Sequence, residues 1–170
     1  MALPRFSHVM EPLSSQHNRA GFDCGIEALD RYLREQAGQD MRRFLAAVFV
    51  LHDLEQERLA GYYTLAATAI VLADLPTELT RKLPKYPLIP ATLLGRLAVE
   101  KRYQGQGLGT FLLLDALRHS LNSEVASMAV VVEAKNGQAQ AFYQYHQFVP
   151  FPNQPQRLYL PMTTIVKLLG

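Results

Sequence analysis

One cysteine, Cys24, stands among 170 residues. No disulfide can form within the chain, and a reducing compartment such as the cytoplasm is expected. Next to the start of a helical pattern, Cys24 reads as a small buried residue rather than a nucleophile. No apolar run approaches the ~18 residues that a membrane span needs, so no membrane is expected. The opening MALPRFSHVMEPL lacks the basic start and long apolar stretch of a signal peptide. His8, His17, His52, His119 and His146 are scattered, with no His or Cys at metal-ligand spacing. No metal is expected. There is no repeat and no low-complexity segment. With 49% hydrophobic and 19% charged residues, the composition is that of one ordinary globular domain over residues 1–170. The net charge of +2 is small, but it is unevenly spread. Residues 93–170 carry seven basic and four acidic side chains, and residues 1–92 carry ten and eleven. A basic surplus in the second half suits an anionic cofactor and permits an anionic substrate.

Periodicity predicts the elements. Ile26, Leu29, Leu33 and Ala37 recur at helical spacing over 26–40. The apolar runs 44–51 and 59–72, either side of a charged stretch, predict an antiparallel hairpin. Residues 74–90 hold Pro76, Pro84, Pro87 and Pro90. They predict an extended connector with a short helical turn over 78–83 and no central strand. A strand over 93–99 leads into a glycine loop and a helix to about Leu121. The β-branched run 127–134 predicts a strand buried on both faces. A helix over 136–146, short strands over 148–151 and 157–161, and a last helix over 162–169 complete a mixed α/β layer structure.

The informative stretch is Gln104-Gly105-Gln106-Gly107-Leu108-Gly109-Thr110. It lies between a strand and a helix. Its glycines permit backbone conformations closed to other residues, and the helix start attracts phosphate. Lys101 and Arg102 add positive charge. A P-loop is excluded because no Lys-Ser or Lys-Thr follows. A dinucleotide-binding fingerprint is excluded by the Gly-x-Gly-x-Gly spacing and the late position in the chain. The stretch instead resembles the pyrophosphate loop of the GNAT acetyltransferases, Gln/Arg-x-x-Gly-x-Gly/Ala. Asn136, Ala139, Phe142 and Tyr143, on the helix after the next strand, fit the same family.

That resemblance implies a GNAT fold of the α+β type. Its central sheet is mixed and mostly antiparallel, is flanked by helices, and has a splayed parallel strand pair at the acetyl-CoA site. It implies that the pantetheine arm bonds the backbone at Leu97, Ala98 and Val99. The pyrophosphate would rest on residues 104–110, with Asn136 also at the cofactor. Tyr143 would be the acid that protonates the departing thiolate. Strand N–H groups can polarise the thioester. No convincing base is present, although Glu100 and Glu133 stand at strand ends. An α-amine beside an ester carbonyl is largely neutral near pH 7 and needs little help.

Over nearly its full length the chain resembles one GNAT branch, the acetyltransferase toxins of toxin–antitoxin modules. Phe22-Asp23-Cys24-Gly25, Leu29-Asp30, Tyr32-Leu33, Gly95-Arg96-Leu97-Ala98-Val99, Phe142-Tyr143 and the ending Leu158-Tyr159-Leu160-Pro161-Met162 carry the likeness. It implies acetylation of the α-amine of aminoacyl-tRNA. It also implies a ribbon-helix-helix antitoxin as partner and permits a homodimer through the apolar C-terminal segment. The candidate RNA contacts are Arg96, ranked first, then Arg42 and Arg43, with Arg81, Lys82 and Lys85 also in the set. Gln147-Phe148 replaces the family's Gly-Phe, so the catalytic helix is expected to end differently and shift Tyr143. Two other functions compete. One is a GNAT enzyme for a small amine or a protein N-terminus. The other is a non-catalytic acyl-CoA binder or repressor-complex component.

Overall fold

The computed structural model describes residues 7–170. Seven strands join one sheet: β1 (His8–Pro12), β2 (Ala47–Asp53), β3 (Arg58–Val71), β4 (Leu88–Val99), β5 (Ala129–Glu133), β6 (Val149–Phe151) and β7 (Gln154–Pro161). Their order is β1-β2-β3-β4-β5-β7-β6. The β4–β5 pair is parallel, while β1–β2, β2–β3, β5–β7 and β6–β7 are antiparallel. This is the mixed, mostly antiparallel sheet that the resemblance implies. The helices are α1 (Glu27–Arg31), α2 (Ala37–Arg42), α3 (Thr77–Thr80), α4 (Leu108–Leu121), α5 (Gly137–Tyr145) and α6 (Met162–Leu169).

Contacts group the chain into two compact units, Met1–Ala66 with Arg96–Ala116 and Ala67–Gly95 with Leu117–Gly170. In the first, α1 and α2 join through a π-helical turn, Tyr32–Gln36. The expected helix over 26–40 therefore exists, but with one residue too many for regular α register. Its apolar stripe is Leu29, Leu33 and Ala37, buried against Val48, Val50 and Tyr62. Leu33 is fully shielded, which stabilises the unit by roughly 2 kcal/mol. At Gly61 on β3 an added Cβ would lie 2.8 Å from both the Ala98 carbonyl oxygen and Leu112 Cδ1. Only glycine lets the backbone come that close.

The expected strand over 44–51 starts later. Phe44 has φ +59° and is 94% exposed. The Leu45 N–H bonds the Asp40 carbonyl and the Phe44 N–H that of Met41. The chain thus spends these residues closing α2 in a Schellman-type cap.

In the second unit, β5 is buried at Ala129, Val130, Val131 and Val132, as its unbroken apolar run predicts. Ile70, Ile89, Ala91, Phe151 and Tyr159 pack with it. The proline-rich connector differs from expectation. β4 begins at Leu88 and runs through Pro90. Proline lacks a donor, but its carbonyl still accepts from the Met128 N–H at 2.8 Å. Ile89 and Ala91 turn inward on either side of it. The short helix is Thr77–Thr80 rather than 78–83, starting directly after Pro76. In the C-terminal segment Leu158, Leu160 and Ile165 are fully buried, so it is mainly core, while Val166 and Leu168 of α6 remain exposed. No helix among the described residues is long and apolar enough to cross a membrane.

Candidate active site

The glycine loop belongs to the first unit. Glu100 directly follows β4; its N–H bonds the Ala60 carbonyl at 2.9 Å and its carboxylate accepts from the Arg102 N–H at 2.6 Å. A 3-10 turn, Lys101–Tyr103, follows. Gly105 and Gly107 have φ +79° and +81°, with no atom within 4 Å of where a Cβ would stand. These glycines answer to backbone conformation, not crowding. The Phe111 N–H bonds the Gly107 carbonyl, opening α4. The backbone of Leu108 and Gly109 thus opens the first turn, at its positive end. Gln104 has another task. Its side-chain amide donates to the Cys24 carbonyl at 2.9 Å and the Val99 carbonyl at 2.8 Å. It ties the loop to the end of β4 and leaves Gln106 and the glycines to present the backbone. Lys101 pairs with Asp23 at 3.4 Å. Burial pushes the Cys24 thiol up to about 12, which excludes a thiolate nucleophile at neutral pH.

Parallel pairing of β4 with β5 covers Ala91↔Ala129, Thr92↔Val130 and Leu93↔Val131. β4 continues to Val99 and β5 to Glu133, so backbone groups beyond Leu93 are released from that ladder. Leu97 and Val99 are half-buried and Ala98 is buried. In the second unit a cavity of about 650 Å³ opens beside Gly95, Glu133, Lys135 and Arg157. Glu133 therefore fronts a cavity large enough for a substrate. Glu100 lines a separate pocket of about 200 Å³ with Arg58, and burial raises its carboxyl above the usual range.

Tyr143 lies in the last turn of α5. It is 8% exposed and packed by Phe142 and Phe148, with ring centroids at 5.2 and 5.3 Å. Burial pushes its phenol up to about 12. Among the described residues its hydroxyl has no hydrogen-bond partner. The helix end corrects the expectation drawn from Gln147. Gln147 takes φ +73°, the conformation a glycine would take. Its N–H bonds the Gln144 carbonyl, and the Phe148 N–H bonds that of Tyr143, both at 3.0 Å. With the Phe148–Tyr143 contact this is a complete Schellman motif, so the usual helix end forms without glycine. Asn136 is the N-cap of α5, its Oδ1 accepting from the Ala139 N–H at 2.8 Å.

Arg96 does not stand out in solvent. Its guanidinium lies 3.5 Å over the centre of the Tyr32 ring. Tyr32 donates to Asp40 at 2.7 Å. Arg42 and Arg43 are exposed at the carbonyl end of α2, where cations favour the helix dipole. Sequence spacing gave no sign of Tyr32 as Arg96's partner, because 64 positions separate them. It also missed a histidine cluster. His17 Nε2 and His52 Nδ1 stand 2.7 and 3.2 Å from one Glu11 oxygen. The Ser14 N–H donates to His17 Nδ1, so His17 carries its proton on Nε2 and gives it to Glu11. A metal ion would need that nitrogen bare. The cluster is a hydrogen-bonded clasp between β1, β2 and the following turn.

The family description "Acetyltransferase (GNAT) domain" matches residues 88–169. The chain is 31% identical to a probable toxin TacT of Sinorhizobium fredii, covering 95% of each. It is 32% identical to a tRNA-acetylating toxin of Mycobacterium tuberculosis, covering 93% of this chain and 94% of that one. Among solved structures, AtaT complexed with acetyl-methionyl-tRNAfMet superposes with a TM-score of 0.88 at 29% identity, over 96% of this chain and 99% of that one. An AtaT mutant bound to the C-terminus of the antitoxin AtaR and acetyl-CoA gives 0.81 at 27% identity, over 96% and 98%. The chain belongs to the GNAT N-acetyltransferases, in the branch of the tRNA-acetylating toxins.

Proposed function

We propose that this chain moves an acetyl group from acetyl-CoA to the α-amine of an aminoacyl-tRNA and so removes charged tRNA from translation. The likeness to a toxin solved with acetyl-methionyl-tRNA, extending over nearly both chains, carries the substrate. The loop and Tyr143 support the chemistry. The pyrophosphate rests on N–H groups of Gly105, Gln106, Gly107, Leu108, Gly109 and Thr110, with Gln104 bracing the loop and Asn136, the N-cap of α5, also at the cofactor. The pantetheine bonds the released backbone at Leu97, Ala98 and Val99.

The amine nitrogen adds to the thioester carbonyl carbon, and strand N–H groups stabilise the oxyanion. The C–S bond breaks, and the thiolate takes the Tyr143 proton. The proton lost by the new amide nitrogen returns to the Tyr143 oxygen. With the phenol at about 12 and an ordinary thiol near 8.5, a separate transfer is roughly 5 kcal/mol uphill. Transfer while the C–S bond breaks avoids that separate step. A neutral phenol unspent in other bonds is the resting form this step needs.

An antitoxin of the ribbon-helix-helix type would be the partner, and the exposed side of α6 is open to a second copy. The site of action is the cytoplasm. The test is transfer of label from acetyl-CoA to charged tRNA, with deacylated tRNA and spermidine alongside. Label on charged tRNA alone, lost with the ester in mild base, is the expected result. Label on spermidine alone rejects the substrate. Tyr143→Phe should lower kcat by about 10²–10⁴-fold with acetyl-CoA binding retained. An unchanged kcat removes Tyr143 from the chemistry.

A further inference from the structure

We propose that Tyr32 is a positioning residue for Arg96, and that Arg96, laid flat on its ring, takes a phosphate of the acceptor RNA along its guanidinium edge. This rests on charged tRNA being the acceptor. The argument begins with the π turn. Tyr32 and Asp40 are eight residues apart, and at ~100° per residue an unbroken α-helix would set them about 80° apart around its axis. In the π turn the Ala37 N–H bonds the Tyr32 carbonyl, five residues back instead of four. One residue is thereby absorbed, and the pair is spaced like an (i, i+7) pair, within about 20° on one face.

The Tyr32 hydroxyl then reaches Asp40 Oδ2 at 2.7 Å, while Gln36 holds Oδ1 at 2.9 Å. Hydrogen bonds from Gln36 and Tyr32 keep the Asp40 carboxyl below its usual range, so it stays an acceptor. Burial and the bond to Asp40 push the Tyr32 phenol well up, so it stays a donor. The ring is also buried at 6% exposure and lies nearly parallel to Tyr62, whose hydroxyl is fixed to the Leu29 carbonyl. It cannot turn without breaking this set.

Arg96 rests on that fixed ring. Among the described residues no hydrogen bond or ion pair occupies its guanidinium. The Asp40 carboxylate feels the Arg96 charge, but no hydrogen bond or ion pair joins the two. A half-buried arginine pinned by its face keeps its in-plane donors for a ligand, and a planar fork fits the oxygens of a phosphodiester. Arg96 directly precedes Leu97, where the acetyl donor is proposed to bind. A phosphate held there would set the 3′ end of the RNA relative to the reacting thioester.

The test is steady-state acetylation of charged tRNA across a salt series, with KM for acetyl-CoA and thermal melting read in parallel. Arg96→Gln should raise KM for charged tRNA about tenfold and flatten log(kcat/KM) against log salt by about one phosphate. KM for acetyl-CoA should not move. Arg96→Lys should not rescue, since an ammonium neither stacks flat nor forks. Tyr32→Leu should reproduce the KM change in the wild type and add nothing in the Arg96→Gln background. Tyr32→Phe keeps the ring without the Asp40 bond and should fall between, which keeps the test valid if Tyr32→Leu folds poorly. An unchanged salt slope in Arg96→Gln overturns the phosphate contact. A Tyr32 effect of equal size with and without Arg96 overturns the positioning role. A wild type that labels spermidine but no charged tRNA rejects the substrate reading first, and this inference with it.

Discussion

Replacing Gln147 by glycine should make the protein more stable. Gln147 holds φ +73° at the C-terminal turn of α5. A non-glycine L-residue in that conformation costs about 1–2 kcal/mol, because Cβ crowds the following carbonyl. Glycine removes that cost but loses more freedom on folding, by roughly 0.5–1 kcal/mol. The difference leaves about 0.5–1 kcal/mol in favour of Gln147→Gly. Near this chain length that is a rise in Tm of about 1–4 °C. Gln147→Ala, which keeps a Cβ, should give no gain, and the β-branched Gln147→Val should lose stability. The bonds from Gln147 and Phe148 to Gln144 and Tyr143 are backbone bonds and survive all three changes. Calorimetry of the four proteins side by side reads the order directly. If Gly and Ala are equal, the left-handed turn is not what Gln147 strains against, and the Schellman reading of this helix end fails.

Gly61→Ala should cost about 1–3 kcal/mol by overpacking, since the new Cβ meets the Ala98 carbonyl oxygen and Leu112 at 2.8 Å; chemical denaturation measures it, and a neutral result refutes the close approach. Gly107→Ala meets no atom but must hold φ +81°. It should weaken acetyl-CoA binding in calorimetry far more than it lowers Tm, and unchanged affinity would reject the phosphate-loop assignment. The clasp gives a pH dependence. The hydrogen bond from His17 holds the Glu11 carboxyl below its ordinary 4.5. A depressed carboxyl contributes stability above its unfolded value and loses it as pH falls through the folded one. The stability difference between wild type and Glu11→Gln should therefore be level from pH 5 to 6 and close as pH falls below about 4.5; a difference constant down to pH 3 contradicts it.

The loop, the strand before it and Tyr143 were legible because their signals are local. A glycine at positive φ, an Asn three residues before an N–H it caps, and an unbroken β-branched strand each show within a few residues. What escaped were features made by distant pairs or by a residue acting against its type. Pro90 inside β4 reads as a strand breaker, yet the ladder there asks it only for a carbonyl. Phe44 reads as the start of an apolar strand, yet it closes a helix in a glycine's conformation. Glu11, His17 and His52 have no spacing in common, because β1 pairing with β2 is what brings them together.

Two departures from local rules stand at candidate site residues, while Phe44 and Glu57 at positive φ do not. Gln147 occupies the left-handed position whose backbone bonds hold Tyr143, and the π turn begins at Tyr32, on which Arg96 lies. Each costs local stability and fixes the direction of one side chain. For Tyr143 the Phe148 contact opposes that cost, and for Tyr32 the bond to Asp40 does so. The same logic separates these two from Phe44, whose strained turn closes a helix next to no proposed site residue except Arg42 and Arg43. Those two arginines already sit at the favourable end of the α2 dipole, so their exposure needs no RNA to explain it. Arg96 lies over the Tyr32 ring within the field of Asp40, and among the described residues no hydrogen bond or ion pair takes up its donors. Its unspent donors beside a rigid ring make it, rather than the pair at the end of α2, the arginine whose loss should be felt by the acceptor.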